Sequence, residues 1–121
     1  MHTQVYEVAV ATESDGSAEF YSEQMNGLLD RIQYVKGDFA DGVDFTITLE
    51  DTGESLWVES DVNASAVRAP RQAVHTPAGA ARLYAADGEA VSDLIAVSGR
   101  AKIVIAAGGN AKTGTFRFVT V

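Results

Sequence analysis

Hydrophobic and polar residues alternate along most of the chain, which predicts β-strands. The clearest segment is VDFTITLE, in which Val43, Phe45, Ile47 and Leu49 share one face and polar residues occupy the other. This pattern predicts a strand with one face in the core and one in water. The following DTG, at 51–53, predicts a tight turn, and ESLWVES predicts the returning strand of a hairpin.

The same reasoning predicts strands in six further segments: TQVYEVAVA, AEFYS, GLLDRIQYVK, AVSDLIAVSG, AKIVIAAGG and GTFRFVTV. In the first of these, Tyr6, Val8 and Val10 form the richer face. The segment ASAVRAPRQAV is expected to be extended, with Pro70 confining it to a sheet edge or a bulge.

One short helix is predicted at residues 77–86. Thr76 is a favourable N-cap, Pro77 suits the first helical position, and alanines follow until Asp87 and Gly88. The whole pattern predicts an all-β fold, a single-domain sandwich or barrel of seven to eight strands with this one helix.

Composition narrows the functional classes. The chain has 121 residues, 46% of them hydrophobic, which suits one globular domain over 1–121. No apolar run reaches the length of a membrane span, so we expect no membrane partner. The absence of cysteine and of a recognisable secretory leader favours intracellular synthesis. A net charge of −8 argues against nucleic acid as a partner.

The charge is distributed unevenly along the sequence. Residues 1–61 contain two basic and fourteen acidic residues, whereas residues 62–121 contain seven basic and three acidic residues. Either one half of the chain lies on the outer face, or copies of the chain meet through acidic and basic patches.

The segment KGDFADGVDF, at 36–45, is the first candidate for chemistry. Its aspartates resemble a calcium loop, but an EF-hand starting at Asp38 would have Ala40, Gly42 and Leu49 at ligand positions. We therefore predict a turn shaped by its glycines, with Phe39 packing back over the end of a hairpin.

Two other candidates lack the required pattern. GGNAKTG, at 108–114, has Ala111 before Lys112 and a strand after it, so a hairpin loop is predicted rather than a phosphate-binding loop. His2 and His75 supply too few ligands for zinc, and no nucleophile pattern accompanies His75. We predict no enzyme activity, no metal and no cofactor.

The remaining candidates for a functional site are interaction surfaces. A sugar-binding platform would draw on the aromatic residues Tyr6, Phe20, Tyr21, Tyr34, Trp57 and Tyr84. Trp57 is the most interesting of them, because alternation places it opposite Leu56 and Val58, where it meets either a second sheet or a partner. A basic cluster in the irregular middle of the chain gives three further candidate interface residues: Arg68, Arg71 and Arg82.

Three segments together resemble a known family: RIQYVKGDFADGVDFTIT, AVHTPAGAARLYAADG and IVIAAGGNAKTGTFRFVTV. They are similar, in this order and over roughly residue 28 to the end, to small virion proteins of tailed bacteriophages and prophages. The resemblance implies a head decoration, or cement, protein on the capsid exterior, with the major capsid protein and its own copies as partners. Such proteins form trimers at three-fold and quasi-three-fold positions, after synthesis in the host cytoplasm.

The resemblance is weakest over residues 1–27, which leaves room for an N-terminal arm that contacts the capsid or a neighbouring subunit. Two alternatives stay open at this point. One is a β-sandwich binding module for glycans or a host surface, and the other is a head–tail joining or tail component.

Overall fold

The computed structural model describes residues 3–86, 88–89 and 91–121, and these residues form ten β-strands and no helix. The strands are β1 Gln4–Ala11, β2 Ala18–Tyr21, β3 Met25–Val35, β4 Val43–Leu49, β5 Ser55–Val62, β6 Ala66–Arg68, β7 Arg71–Ala73, β8 Ser92–Gly99, β9 Ala101–Ala106 and β10 Thr113–Thr120. The all-β class and the predicted strands are confirmed. The strand count is higher than predicted, partly because the segment around Pro70 divides into β6 and β7.

The strands form two antiparallel sheets. The larger has the order β1-β10-β3-β8-β7, with β6 also pairing with β3, and the smaller has the order β2-β9-β4-β5. β1 and β2 contact each other at one side of the molecule. β5 and β7 lie at the opposite edges of their sheets. The arrangement is sandwich-like, because inward residues of both sheets belong to one hydrophobic cluster.

Alternation accounts for the buried faces. In β4, Val43, Phe45, Ile47 and Leu49 are all buried, as the sequence predicts. β1 likewise turns Val8 and Val10 inward and leaves its other face in water.

Aromatic rings join the two sheets at the centre of the core. Phe45 of β4 lies 5.1 Å from Phe116 of β10 at an interplanar angle of 80°, a favourable edge-to-face contact. Tyr34 of β3 lies 5.1 Å from both rings, and Phe39 stacks on it at 6.2 Å. The contacts of Phe45 with Phe116 and Tyr34 cross from sheet to sheet, so they fix how the sheets face each other.

The N-terminal segment contributes to both sheets. Residues 4–11 form edge strand β1, and residues 18–21 form β2 of the smaller sheet. Met1 and His2 lie outside the described residues.

The predicted helix at 77–86 is wrong. The backbone N–H of Gly79 donates to the carbonyl of Thr76 at 2.9 Å, and His75 forms an antiparallel bridge with Ala81. Gly79 has a φ of +87°, which a helix does not use. A helix of ten residues is marginal without a packed face. In the structure, the backbone groups of this segment form cross-strand hydrogen bonds instead. Asp87, expected at the helix end, lies outside the described residues.

The predicted faces of β5 are also wrong. The pairing of β4 with β5 shifts between Ile47 and Thr48, so Leu56 is an extra residue in a bulge. Leu56 and Trp57 are therefore both buried, whereas Val58 is 58% exposed.

The two glycine-rich loops are not hairpin loops. Residues 36–42 connect β3 to β4, and residues 107–112 connect β9 to β10, and in each case the two strands belong to different sheets. The loops pack against each other, since the N–H of Ala40 donates to the carbonyl of Gly108 at 3.0 Å. Alternation identifies strands but not the sheet to which each belongs.

Candidate interaction surfaces

Trp57, the first predicted interface residue, lies mainly in the core. Its side chain is 6% exposed and packs edge-on against Phe45 at 4.7 Å. The indole Nε1–H donates to Oε1 of Glu59 at 2.9 Å. The ring is thus held by contacts inside its own subunit.

Arg68 completes a bridge between the sheets. Its guanidinium lies 5.4 Å from the centre of the Trp57 ring. It also donates to both carboxylate oxygens of Glu59, at 3.0 and 2.9 Å. The hydrogen bond from Trp57 and the bonds and charge of Arg68 hold the pKa of Glu59 below its ordinary value. Because Arg68 lies on β6 and Glu59 on β5, the pair joins the two sheets along one side.

Arg71 links the start of β7 to β3 by hydrogen bonds. Its Nη1 donates to the carbonyl oxygens of Asp30 and Pro70, both at 2.9 Å, and its Nη2 lies 3.6 Å from the Asp30 carboxylate. Arg68 and Arg71 therefore have separate acidic partners within the subunit.

Arg82 lies on an excursion between β7 and β8, residues 74–91, which we call the lateral arm. Its described residues from Pro77 to Ala86 are all exposed. None of its described residues belongs to the core cluster. Leu83 is 44% exposed and Tyr84 is 75% exposed, so the arm presents apolar side chains to water.

Backbone hydrogen bonds shape the lateral arm. They join Val74 to Val91, Arg82 to Val74, Val91 to Arg82, Tyr84 to Glu89, Thr76 to Ala80, Gly79 to Thr76 and Gly88 to Ala85, at 2.8–3.0 Å. The arm is thus a backbone-paired excursion from a sheet edge. Connections this long are uncommon in compact domains and frequently carry function.

Ion pairs connect the two unevenly charged halves of the sequence. Seven pairs occur among the described residues, and five of them join an acid of residues 1–61 to a base of residues 62–121. These five are Glu59–Arg68, Asp30–Arg71, Glu50–Arg100, Glu19–Lys102 and Glu7–Arg117. The acidic and basic halves therefore meet inside one subunit. Within the described part of the chain, Arg82 and Lys112 are the basic residues outside these seven pairs.

The aspartates of KGDFADGVDF have structural partners. The Asp38 carboxylate accepts hydrogen bonds from the Thr113 backbone N–H at 2.6 Å and from the Thr113 hydroxyl at 3.1 Å. These bonds keep the pKa of Asp38 below its ordinary value. Asp41 pairs with Lys36 at 2.6 Å. The described residues contain no group of three or more His, Asp or Glu placed to hold a metal ion.

A surface depression lies at the edge of the smaller sheet that β2 forms. We call it the acidic groove, and its volume is about 380 Å³. Its lining residues come from the β1–β2 turn, β2 and β9: Glu13, Ser17, Ala18, Glu19, Val104 and Ile105. Val104 is 38% exposed there. The Tyr21 hydroxyl donates to the Glu19 carboxylate at 2.8 Å, and this bond together with Lys102 lowers the pKa of Glu19.

Sequence reasoning missed both the lateral arm and the acidic groove. The sequence does contain a signal for the arm. Gly79 and Gly88 interrupt the helix pattern, and this interruption makes the prediction of a helix weak. The groove has none, because β2 and β9 are far apart in the sequence and meet only through the register that pairs Glu19 with Val104.

Comparisons with protein-family models, with curated proteins and with solved structures found no match to this chain. No helix among the described residues is long and apolar enough to cross a membrane.

Proposed function

We propose that this chain is a structural virion protein that decorates the exterior of a tailed-phage capsid and stabilises the shell, as trimers at three-fold and quasi-three-fold positions. The three segments that resemble the decoration family motivate the proposal. The role is a binding role without turnover, and the partners are the major capsid protein and further copies of the chain.

The lateral arm is the structural observation that carries the proposal. It exposes Leu83 and Tyr84 outside the core, at one edge of the larger sheet. Leu83 and Tyr84 are adjacent and exposed, so a partner that covers them would remove apolar area from water. Behind the arm, aromatic contacts and the Arg68–Glu59 pair link the two sheets, which suits a rigid module.

The mechanism is mass action. A protein that binds only the expanded shell lowers the free energy of that state and so opposes its disruption by internal DNA pressure. Many copies that each bridge neighbouring capsid subunits add avidity. An acidic exterior helps the protein to stay soluble at high local concentration.

The test compares capsids assembled with and without this chain. We expect capsids that carry it to melt at a higher temperature and to retain DNA longer on heating. Equal melting temperature and equal DNA retention would refute the proposal.

A binding module for glycans or a host surface is the second candidate, and Tyr21 is the observation that favours it. The Tyr21 ring is 37% exposed on the outer face of the smaller sheet, with the Arg100 guanidinium 4.4 Å from its centre. Trp57 is too deeply buried to offer a ring face to a sugar. A glycan panel with and without calcium tests this candidate, and binding that is lost in Tyr21→Ala would favour it over decoration.

A head–tail joining or tail component of a phage particle is the third candidate. Counting copies per particle separates it from a decoration protein, since decoration predicts hundreds of copies and a joining role predicts only a few rings.

A further inference from the structure

We propose that a groove on the outer face of the larger sheet binds an acidic segment of a partner protein, with one carboxylate between two arginines and an apolar side chain on either side. The groove is a shallow depression of about 260 Å³, and we call it the arginine groove. Its lining comes from β1, β10, β3 and β6: Val5, Arg31, Gln33, Val67, Arg117 and Val119. The inference goes beyond the proposed function, which rests on the lateral arm and assigns nothing to this face.

Strand register brings the lining side chains together on one face of the sheet. The pairing gives two rows of neighbours across the strands, Val5–Val119–Arg31 and Arg117–Gln33–Val67. Directly opposite residues of antiparallel strands share a face. Phe116 and Phe118 flank Arg117 in the chain and are fully buried in the core. The face that carries Arg117 therefore points away from the core and into water.

The two arginines of the groove have hydrogen-bond donors to offer. Arg31 and Arg117 are diagonal neighbours, roughly 7–8 Å apart, so their long side chains can converge on one carboxylate. Arg117 donates from Nε to Glu7 at 2.7 Å and from Nη1 to Gln33 at 3.5 Å, and its Nη2 has no hydrogen bond with the described residues. Arg31 lies 3.6 Å from Asp30, which is too long for a hydrogen bond, and donates to no other described residue.

The charge around the groove is opposite in sign to that of the whole chain. The Asp30 carboxylate is shared, since it lies 3.6 Å from Arg31 and 3.6 Å from Arg71. Three arginines around the groove therefore face two acids, Arg31, Arg71 and Arg117 against Glu7 and Asp30. The chain as a whole has a net charge of −8. A local excess of guanidinium groups favours a carboxylate ligand.

Exposed valines lie on both sides of the arginine pair. Val5 on β1 is 58% exposed and Val67 on β6 is 51% exposed, so both present methyl groups to a ligand. Three strand spacings of about 4.8 Å and one side-chain step of about 6.8 Å place these two valines roughly 16 Å apart. Residues four positions apart in an extended peptide are separated by about 14 Å. An extended segment with a central acid and an apolar residue two positions to each side therefore matches the groove.

The chemistry of the groove favours a peptide over a nucleic acid. Covering Val5 and Val67 with apolar side chains removes apolar area from water, which a phosphate backbone cannot do. Binding of nucleic acid also depends on contacts to many phosphates, whereas a single pair of arginines lines this groove.

NMR titration of the isotope-labelled full chain tests the inference with a blocked peptide, Leu-Ser-Glu-Ser-Leu. So small a ligand should bind weakly, so the titration extends to about 5 mM. The methyl groups of Val5 and Val67 and the Nε–H groups of Arg31 and Arg117 should shift with one dissociation constant. Leu-Ser-Gln-Ser-Leu lacks the charge and Ser-Ser-Glu-Ser-Ser lacks the apolar groups, and each should bind about tenfold more weakly.

Matched variants separate the groove from the rest of the surface. Arg117→Gln should weaken binding about tenfold, whereas Arg100→Gln should not change it, because Arg100 likewise bonds a glutamate, Glu50, but lies outside the groove. Val67→Ser should weaken binding about threefold. Val58→Ser should leave it unchanged, because Val58 is similarly exposed but lies on the smaller sheet.

Glu7→Gln gives a gain that a purely structural role of Arg117 would not give. Glu7 competes with the ligand for the Arg117 guanidinium, so removing its charge should tighten binding by at least about twofold. The single tryptophan, Trp57, is buried, so its fluorescence reports the fold of every variant.

Several results would overturn the inference. They are the absence of shifts in the groove up to about 5 mM peptide, equal binding of the glutamate and glutamine peptides, and equal binding of Ser-Ser-Glu-Ser-Ser, which would mean that the arginines take any anion. Displacement of the peptide by an oligothymidine would indicate a nucleic-acid surface instead. Equal losses in Arg117→Gln and Arg100→Gln, or no gain in Glu7→Gln, would also contradict it. The capsid-heating experiment is separate, so the proposed function stands or falls independently of this site.

Discussion

Replacing Tyr34 by phenylalanine should stabilise the fold. Tyr34 is fully buried among aromatic rings, and its hydroxyl has no hydrogen-bond partner among the described residues. Burial raises the pKa of Tyr34 to about 12, so the phenol stays neutral at ordinary pH. A buried hydroxyl without a partner costs about 1–3 kcal/mol. Removing the oxygen forfeits only its few dispersion contacts, so we expect a net gain of about 1 kcal/mol.

The gain is measured by urea unfolding followed through Trp57 fluorescence. A gain of about 1 kcal/mol should raise the urea midpoint by roughly 0.5 M and the melting temperature by about 3–6 °C. Tyr84→Phe is the matched control, because the Tyr84 ring is 75% exposed, and its stability should change by less than about 0.5 kcal/mol. If Tyr34→Phe instead lowers stability by about 1 kcal/mol, the hydroxyl has a bonding partner in solution and the reasoning is wrong.

Three further changes test the core and the crossing loops. Gly114→Ala should destabilise the fold by about 1–3 kcal/mol, because the new Cβ would lie 2.5 Å from the Phe39 ring; an unchanged urea midpoint would contradict this close approach. Phe116→Ala should cost about 3–5 kcal/mol, since the ring is fully buried between the sheets, and urea unfolding would again measure it. Asp38→Asn should lower stability near neutral pH, because a neutral amide oxygen would replace the charged oxygen that accepts two bonds from Thr113. The pKa of Asp38 is lower in the folded state than its ordinary value of 3.8. The carboxylate's contribution to folding stability is therefore present above pH 3.8 and is lost as the pH falls through the lower pKa of the folded state. The difference between wild type and Asp38→Asn should therefore shrink in acid, and an equal difference at neutral and acid pH would argue against the carboxylate's role.

Strand positions could be predicted well because they depend on local alternation. β4 is the best case, since its buried residues alternate with more exposed ones along the whole strand, whereas β10 alternates only as far as Phe118 and then buries Val119 and Thr120 as well. The assignment of strands to sheets could not be predicted in this way. The loops at 36–42 and 107–112 look like hairpin turns in sequence, but tertiary packing sends the chain across to the other sheet.

The errors at β5 and at 77–86 have distinct physical causes. A bulge at Leu56 reverses the faces of the residues that follow it, and no local pattern marks its position. At 77–86, helix propensity and a good cap favour a helix, but the segment has no packed face to stabilise one. The candidate interface residues show the same limit, because sequence reasoning finds local features but not tertiary contacts. Arg68 and Arg71 could be identified by charge, whereas their intramolecular partners depend on the tertiary fold.

The most direct test of the decoration proposal is an image of the virus particle with and without this chain. We predict density on the capsid exterior at three-fold and quasi-three-fold positions, present in hundreds of copies and absent when the chain is omitted. Density for the chain at the neck or the tail, or a capsid exterior unchanged by its omission, would contradict the proposal.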